Sequence, residues 1–402
     1  MKIALIVPEY RTDAGGYGGV AAVADFLLDA FHDDSLGWSV TLYSPRMSRK
    51  APESRRLLEP RSWLSRPVLR RREGGTPGYN VGCHLAELEF ARYLPRRILD
   101  AELASFDAIV VVAGSPAAAS IASRVRVPVI LQVATMAAVE RRRMIEGHRP
   151  GSRWFVRLAT MITTRLDHRA LRSVDVVVVE NHWMNERCRA LGAKAVELCP
   201  PGVDTEKFSP LTEPVDGNYL VMVARLSDPR KDLPTLFRAV SVARAQGMTQ
   251  NVVLAGRGGL TAEDLELRDE LGLADQVEVK SDLSQGDLIS LLQRASLFVM
   301  SSSEEGLGIA IVEAMACGLP VVSTATEGAR FVVDASRTGA LVGVGDHAAL
   351  GTEMAAWMID PIRRAEASLE ARRRAVDVFS KGQTGQQFKQ IVTDAAGEHI
   401  AK

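Results

Sequence analysis

The chain has 402 residues, 47% of them hydrophobic and 24% charged, which is typical of a soluble globular protein and too long for one ordinary domain. No run approaches about 20 uninterrupted apolar residues, so the composition excludes a membrane-spanning helix. The net charge is zero, but residues 1–200 carry about +8 and the remainder about −8. This asymmetry would draw an anionic ligand toward the basic half, although one Arg-rich loop would give the same totals.

The four cysteines are widely spaced and form no CxxC pair, which argues against structural zinc and against a disulfide scaffold. Residues 1–7 predict a short strand that ends at Pro8. This apolar run is too short for a secretory signal with its cleavage site. The sequence therefore predicts a cytoplasmic protein.

The first half of the chain alternates strands and helices. A glycine loop containing Gly18 and Gly19 follows the first strand and precedes a helix, an order that many α/β proteins use at a phosphate or nucleotide site. Gly15–Gly16 is a competing register, and a simple tight turn remains an alternative. Further strands are predicted at 2–7, 40–43, 108–112, 128–133 and 174–179, with a helix at 116–124.

Two segments of the first half are rich in arginine. Residues 45–78 predict a long, mobile surface loop that could cover an acceptor, touch acidic lipid headgroups, or be a solvated insertion. Residues 140–172 predict a basic helix whose apolar stripe includes Trp154, Phe155 and Leu158. Such a helix can lie on a membrane, or it can pack on the core with its charged face in solvent.

The second half begins after Pro200, Pro201 and Gly202, which interrupt regular structure. Strands are predicted at 218–223, 252–259 with its glycine loop, 277–280, 298–300 and 321–324, with helices at 287–295 and 307–317. Ligands of open α/β sheets bind at the carboxyl ends of strands.

Three cations follow the first of these strands: Arg225, Arg230 and Lys231. Arginine contacts phosphate in bidentate fashion and lysine supplies a point charge. The loop could therefore neutralise a departing diphosphate, and a solvated turn is the alternative.

The most informative stretch is FVMSSSEEGLGIAIVEAMACGLPVVST, residues 298–324. Gly306 and Gly308 open a predicted helix, and a helix N-terminus suits a phosphate. If the helix is continuous, Glu313 lies about 80° around its axis and about 12 Å along it from Glu305. Two carboxylates at that spacing could grip hydroxyl groups on either side of a diphosphate, as in a nucleotide sugar. A capping Glu with a second Glu facing solvent is the alternative.

In this setting, the two glutamates eight residues apart resemble the motif of the large retaining GT-B glycosyltransferase family often called family 4. The resemblance implies that Glu305 contacts hydroxyls of the transferred sugar and Glu313 the ribose. The amides near Gly306, Leu307 and Gly308 would meet the diphosphate or the sugar.

Other segments extend this resemblance. The pattern P-x-G-V-D-x-x-x-F, which closes the first domain of the family, matches residues 200–208. By the same resemblance Arg225 and Lys231 clamp the diphosphate, and Arg230, one residue out of register, could substitute for Lys231. Gly18 and Gly19 would face the diphosphate and the acceptor, and Ser281 would border the nucleobase.

The chain departs from the family pattern at three places. The histidine that usually follows the strand at 128–133 is absent, and Glu180–Asn181 replaces a serine after the strand at 174–179. Residues 327, 328 and 331 are Glu, Gly and Phe, where the family commonly has a Gly-Gly pair and a Glu. No role is carried onto these positions.

The resemblance implies an α/β protein of the GT-B fold, with two doubly wound parallel-sheet domains facing an interdomain cleft. The expected domains are an acceptor-side domain at 1–200, a nucleotide-sugar domain at 201–378, and a C-terminal helix at 379–402 that crosses back to the first domain.

The implied activity is retaining transfer of a sugar from a UDP-, GDP- or ADP-sugar to an acceptor hydroxyl. No D-x-D triplet occurs, so we expect no metal and no cofactor, and the cations would do the clamping. The expected acceptor is a small hydroxylated molecule or a lipid-linked envelope glycan, with peripheral membrane contact and no nucleic acid. The alternatives are a nucleotide-sugar epimerase and a non-catalytic nucleotide-sugar-binding partner.

Overall fold

A computed structural model describes residues 1–10, 19–32, 37–46, 48, 51–57, 59–63, 69–72, 76–141, 150–212 and 218–400. The chain divides into two compact units. The first unit comprises Met1–Pro201 with Thr384–Lys402, and the second comprises Gly202–Gln383.

The first unit is built on an eight-stranded sheet in the order β3-β4-β2-β1-β5-β6-β7-β8. Neighbouring strands are parallel except β3 and β4, which are antiparallel. The strands are β1 Lys2–Ile6, β2 Ser39–Pro45, β3 Leu69–Arg71, β4 Gly78–Val81, β5 Ala108–Ala113, β6 Val129–Val133, β7 Val176–Val179 and β8 Val196–Leu198.

Helices connect these strands. The α-helices are α1 Gly19–Phe31, α2 Arg97–Leu103, α3 Ala137–Glu140, α4 Pro150–Ser173 and α5 His182–Ala190, and short 3₁₀ helices occur at Pro60–Trp63, Glu89–Tyr93 and Pro116–Ala122.

The second unit is built on a six-stranded parallel sheet in the order β11-β10-β9-β12-β13-β14. Its strands are β9 Tyr219–Arg225, β10 Asn251–Arg257, β11 Val277–Ser281, β12 Leu297–Met300, β13 Val321–Thr324 and β14 Gly339–Val342. Its helices are a 3₁₀ turn Pro229–Lys231, α6 Leu233–Ala245, α7 Ala262–Glu270, α8 Gln285–Gln293, α9 Ile309–Ala316, α10 Glu327–Val332, α11 His347–Ile359 and α12 Pro361–Phe379. The last helix, α13 Lys381–Ile400, belongs to the first unit from Thr384 onward.

Both sheets are covered on both faces. All six residues of β5 are buried, and so are all four residues of β12. Successive side chains of a strand point to opposite faces, so an unbroken buried run requires packing on each side. The two parallel α/β sheets confirm the predicted fold class.

The prediction of a loop without regular structure at 45–78 was wrong. Within the described part, β4 begins at Gly78, pairs with β2, and is joined by the antiparallel edge strand β3. Gly78 permits this pairing because a Cβ there would lie 2.2 Å from the carbonyl oxygen of Leu42. The arginine-rich pattern concealed β3, whose two arginines are exposed and whose leucine is only partly buried.

Two predicted helices also differ from those observed. The small-residue segment forms a 3₁₀ helix, Pro116–Ala122, rather than an α-helix. Of the predicted helix at 140–172, Pro150–Ser173 is observed as α4, Glu140 is the last residue of α3, and residues 142–149 lie outside the described residues. No helix in the described ranges has both the length and the apolar character of a membrane span.

Candidate functional site

The predicted cations and the loop that contains Glu305 lie together at the carboxyl ends of two central strands of the second unit's sheet. We refer to this side of the sheet as the sheet edge. Arg225 is the last residue of β9, and the segment leading to Glu305 begins directly after β12. β9 and β12 are adjacent and parallel although two strands, β10 and β11, separate them in sequence order. The strand order reverses between β9 and β12. Open α/β sheets bind their ligands in the crevice outside the carboxyl ends of the strands at such a point.

The centre of this edge is an ion pair between Lys231 and Glu305. Lys231 Nζ donates to Glu305 Oε1, and Ser302 Oγ donates to the same oxygen at 2.7 Å. Ser301 Oγ donates to the carbonyl oxygen of Lys231 at 2.8 Å, which ties the lysine backbone to the end of β12. The side chains are only 15% and 12% exposed, so the pair is held in a partly desolvated place.

Asp228 organises the other two cations. Its carboxylate accepts from Arg225 Nη2 at 2.9 Å, and from Arg230 Nε and Nη2 at 3.0 and 2.7 Å. Burial alone would raise the pKa of Asp228, but hydrogen bonds and positive charge from Arg230, with the charge of Arg225, bring it below its usual value. The carboxylate therefore stays ionised, and two guanidinium groups around one carboxylate leave positive charge in excess.

The sequence left open whether Arg230 could substitute for Lys231, and the two side chains have different partners in the structure. Lys231 pairs with the glutamate of the loop, whereas Arg230 is paired with Asp228 and is 27% exposed at its side chain. Arg225 is the more accessible guanidinium, with 52% of its side chain exposed.

Helix α9 supplies backbone N–H groups at the same edge. Gly308 is its N-cap residue with φ 82°, and no side chain caps this end. A helix N-terminus without a side-chain cap leaves N–H donors available for an anion. The left-handed conformation requires glycine here, since side-chain-bearing residues seldom adopt it.

The helical spacing predicted for the two glutamates was wrong. α9 begins at Ile309, so Glu305 lies in the preceding loop and not on the helix. Gly308, with its left-handed φ of 82°, precedes the helix, and the calculated angle and distance from Glu305 to Glu313 do not apply.

The N-terminus of α10 packs closely against this loop. The N–H of Gly328 donates to the carbonyl oxygen of Glu305 at 3.1 Å. A Cβ at Gly328 would lie 2.7 Å from the carbonyl carbon and oxygen of Leu307, and 2.8 Å from the carbonyl oxygen of Gly306. Only glycine allows this close approach of the two backbones, and the contact fixes the position of the loop relative to α10.

Glu313 lies on α9, half-buried, and burial raises its pKa from 4.5 to about 7. Among the described residues, no hydrogen-bond or ion-pair partner is recorded for its carboxylate. A half-buried carboxyl group of this kind is available to accept hydrogen bonds from a ligand's hydroxyl groups.

Glu313 gives an expected pH dependence of stability. Because its pKa is raised in the folded state, the folded protein binds the proton more tightly, and the glutamate's contribution to stability is lost as pH rises from 4.5 to about 7. We expect Glu313→Gln to gain free energy of unfolding relative to the wild type across this window and to hold that gain above it. Urea unfolding at several pH values measures it. Glu270→Gln, an exposed carboxylate on α7, controls for the change of charge, and equal pH profiles for both variants would contradict the assignment.

Of the remaining predicted site residues, Ser281 lies elsewhere in the second unit, and the predicted glycines belong to the first unit. Ser281 ends β11, two strands from β9, where its Oγ donates to the carbonyl oxygen of Gly258 at 3.0 Å. Gly19 is the first residue of α1 in the first unit and is exposed. Gly18 and the competing Gly15–Gly16 lie outside the described residues.

Sequence reasoning missed Asp228 and Ser302 as supports of the site. Asp228 had a readable signal, because an Asp directly before Pro229 commonly caps a short turn. Its side chain does accept from the N–H of Arg230 at 3.1 Å. Ser302 had no readable signal in the sequence, since its contact with Glu305 depends on where β12 ends. Within the described ranges, no three His, Cys, Asp or Glu side chains are grouped to hold a metal ion.

Two family models match the chain. One described as "Glycosyl transferase 4-like domain" matches residues 18–202, and one described as "Glycosyl transferases group 1" matches residues 203–374. A D-inositol 3-phosphate glycosyltransferase of Thermobispora bispora is 28% identical over 287 residues, covering 67% of this chain and 65% of that protein.

A second relative is a GDP-mannose-dependent alpha-(1-6)-phosphatidylinositol monomannoside mannosyltransferase of Mycolicibacterium smegmatis. It is 29% identical over 239 residues, covering 54% of this chain and 62% of that protein. The chain thus spans less than two thirds of the length of either relative.

A solved structure shows the same fold. A sucrose-phosphate synthase from Thermosynechococcus elongatus superposes with a TM-score of 0.74 at 20% identity, covering 98% of each chain. Because the two family models together match residues 18–374, and the fold extends over nearly the whole chain, this protein belongs to the GT-B glycosyltransferases of the group 1 type.

Proposed function

We propose that the protein transfers a sugar from a nucleotide diphosphate sugar to an acceptor hydroxyl group, with retention of anomeric configuration and without a metal ion. The observation that carries the proposal is the group formed by Lys231, Arg225, Glu305 and the N-terminus of α9 at one sheet edge. This group offers positive charge, backbone donors and a carboxylate, which are what a diphosphate joined to a sugar requires.

In this proposal the cations act on the leaving group. As the bond between the sugar C1 and the diphosphate oxygen breaks, the electron pair stays with the diphosphate. Lys231 and Arg225 then stabilise the negative charge that develops on the diphosphate, and the N–H groups of α9 add further hydrogen-bond donors. The acceptor oxygen bonds to C1 on the face that the diphosphate leaves, and its proton passes to a diphosphate oxygen.

Glu305 is proposed to hold hydroxyl groups of the sugar. Its Oε1 is engaged by Lys231 and Ser302. A carboxylate has further lone pairs, so it can also accept from sugar hydroxyls. The partnership with Lys231 also lets an acidic group sit beside a diphosphate, because the lysine offsets the repulsion between them. Glu313 is proposed to contact the ribose.

The names of the two relatives suggest which donor and acceptor classes to propose for this protein. The mannosyltransferase relative is GDP-mannose-dependent by name, and both relatives' names contain an inositol phosphate or its lipid form. An inositol phosphate, free or lipid-linked, is therefore the first acceptor class to test, with UDP-, GDP- and ADP-sugars as donors.

The test measures donor turnover and stabilisation together. We expect one of the three donor classes to stabilise the protein, by about 2.7 kcal/mol when present at 100 times its dissociation constant. Nucleoside diphosphate release should continue in EDTA, because Lys231 and Arg225 supply the positive charge. Loss of activity in EDTA that Mg²⁺ restores would contradict the metal-free mechanism. An epimerised sugar formed without acceptor would contradict transfer, and a product of inverted configuration would contradict retention.

A further inference from the structure

Helix α4, Pro150–Ser173, turns large apolar side chains toward solvent. Trp154 and Phe155 are 61% and 66% exposed, and Leu158 and Met161 are 36% and 46% exposed. The rings of Trp154 and Phe155 meet edge to face with centroids 4.8 Å apart. Contiguous exposed apolar surface of this kind marks an interaction site, whereas single exposed apolar residues need no explanation.

The rotation of α4 is fixed by its opposite face. Asp167 is fully buried, and its carboxylate accepts from the N–H of Ala117 at 2.8 Å and from the N–H of Ala137 at 3.0 Å. Thr163 is also fully buried on that side. Because these contacts hold one face of the helix against the unit, the apolar stripe cannot turn inward without exposing a buried carboxylate.

The same exposed face is basic. Arg157, Arg165 and Arg169 are exposed, and none of them has an ion-pair partner among the described residues. The only acidic residue of α4 is Asp167, which is buried on the other face. Residues three, four and seven apart share a helix face, so Trp154, Met161 and Arg165 lie in one stripe.

A mostly apolar cavity of about 360 Å³ lies beside α4, between that helix, the segment 136–139 and α5. Met136, Val139 and Trp183 supply much of its lining, together with His168 and Arg187. Burial and then the positive charges of Arg172 and Arg187 lower the pKa of His168. The lowered pKa favours the neutral imidazole, and the carboxyl group of Asp167 lines the cavity beside the guanidinium of Arg187. Apolar character therefore continues past the exposed stripe into the body of the unit.

We propose that this face of the first unit, which we name the α4 face (Trp154, Phe155, Arg157, Leu158, Met161, Arg165 and Arg169), docks on an anionic phospholipid bilayer. Tryptophan and phenylalanine enter the boundary between headgroups and acyl chains, and the exposed arginines bind the anionic headgroups. Charge complementarity selects this partner, and the aliphatic Leu158 and Met161 favour it over a nucleic acid, which presents no acyl chains to receive them. The proposal does not rest on the proposed glycosyl transfer.

The experiment sediments the full-length chain with vesicles, without donor or acceptor. We expect binding to phosphatidylcholine vesicles that contain phosphatidylglycerol, little binding to phosphatidylcholine alone, and weaker binding as salt is raised. Trp154→Ser with Phe155→Ser should weaken vesicle affinity at least about tenfold. Arg165→Gln with Arg169→Gln should weaken it about fivefold per arginine.

Matched controls separate docking from general stickiness. Ile362→Ser with Leu369→Ser removes two side chains that are 72% and 74% exposed on α12 of the second unit, and it should leave vesicle binding unchanged. All these positions are exposed, so unchanged thermal unfolding is expected in each variant. Equal binding to both vesicle types, or no binding, would overturn the proposal. It would also fall if Trp154→Ser abolished self-association seen by light scattering without affecting vesicle binding, because a second copy of the chain would then be the occupant.

Discussion

A Lys231→Ala variant is expected to lose about 10²–10³-fold in kcat/KM, the usual cost of removing one preorganised group that stabilises transition-state charge. Lys231 is the cation that the structure holds on Glu305 beside the N-terminus of α9. Its loss removes positive charge from the leaving group and leaves a carboxylate that is 12% exposed without its cation. Steady-state kinetics with the preferred donor measures the effect.

Lys194→Ala is the matched control for this loss. Lys194 also pairs with a carboxylate, Asp175 at 3.2 Å, but both side chains are about half exposed and lie in the first unit. An exposed pair contributes about 0–1 kcal/mol, so neither activity nor stability should change much. Thermal unfolding of Lys231→Ala shows whether the folded state survives. A folded Lys231→Ala enzyme with activity near that of the wild type would refute the role given to Lys231.

A Gly328→Ala variant is expected to lose donor binding and about 1–3 kcal/mol of stability, the usual cost of inserting atoms where none fit. The new Cβ would lie 2.7 Å from backbone atoms of Leu307 and 2.8 Å from the carbonyl oxygen of Gly306. The loop must move to relieve these contacts, and it carries Glu305 and opens α9. A displacement of about 1 Å at a catalytic group can cost about 10²-fold in rate.

Gly382→Ala separates this steric effect from the general cost of replacing a helical glycine. Gly382 lies in α13, and a Cβ there would meet nothing within 4 Å. Alanine should be neutral or stabilising at that position, because it reduces the entropy of the unfolded chain. Urea unfolding and donor titration of both variants make the comparison. Full donor affinity in Gly328→Ala would show that α10 does not fix the loop.

The sequence predicted the architecture well where the pattern of buried residues was long and regular. The apolar runs of β5 and β12 and the Gly-Pro stop after α9 specify strand, helix and strand by local chemistry alone. The resemblance to GT-B glycosyltransferases, read from the motif around Glu305, is confirmed by the two family models and the shared fold.

Features that depend on tertiary contact were beyond local reasoning. Short edge strands such as β3 contain few buried residues, so their arginines were indistinguishable from those of a loop. The start of α9 was misplaced because either Gly306 or Gly308 could precede the helix, and local sequence does not say which of them takes the left-handed conformation that Gly308 has.

The partners of the site cations depend likewise on how neighbouring strand ends meet. The pairing of Arg230 with Asp228, rather than with the glutamate, is set within one turn, whereas that of Lys231 with Glu305 joins residues 74 apart. The catalytic and binding roles assigned to these residues stay predictions.

The most direct test of this account is a crystal structure of the protein with a bound nucleotide diphosphate sugar. We expect the diphosphate oxygens within hydrogen-bond distance of Lys231 Nζ, an Arg225 guanidinium nitrogen and an N–H group at the start of α9, with sugar hydroxyls on the Glu305 carboxylate. A donor bound at full occupancy elsewhere, with the Lys231–Glu305 pair untouched, would contradict it.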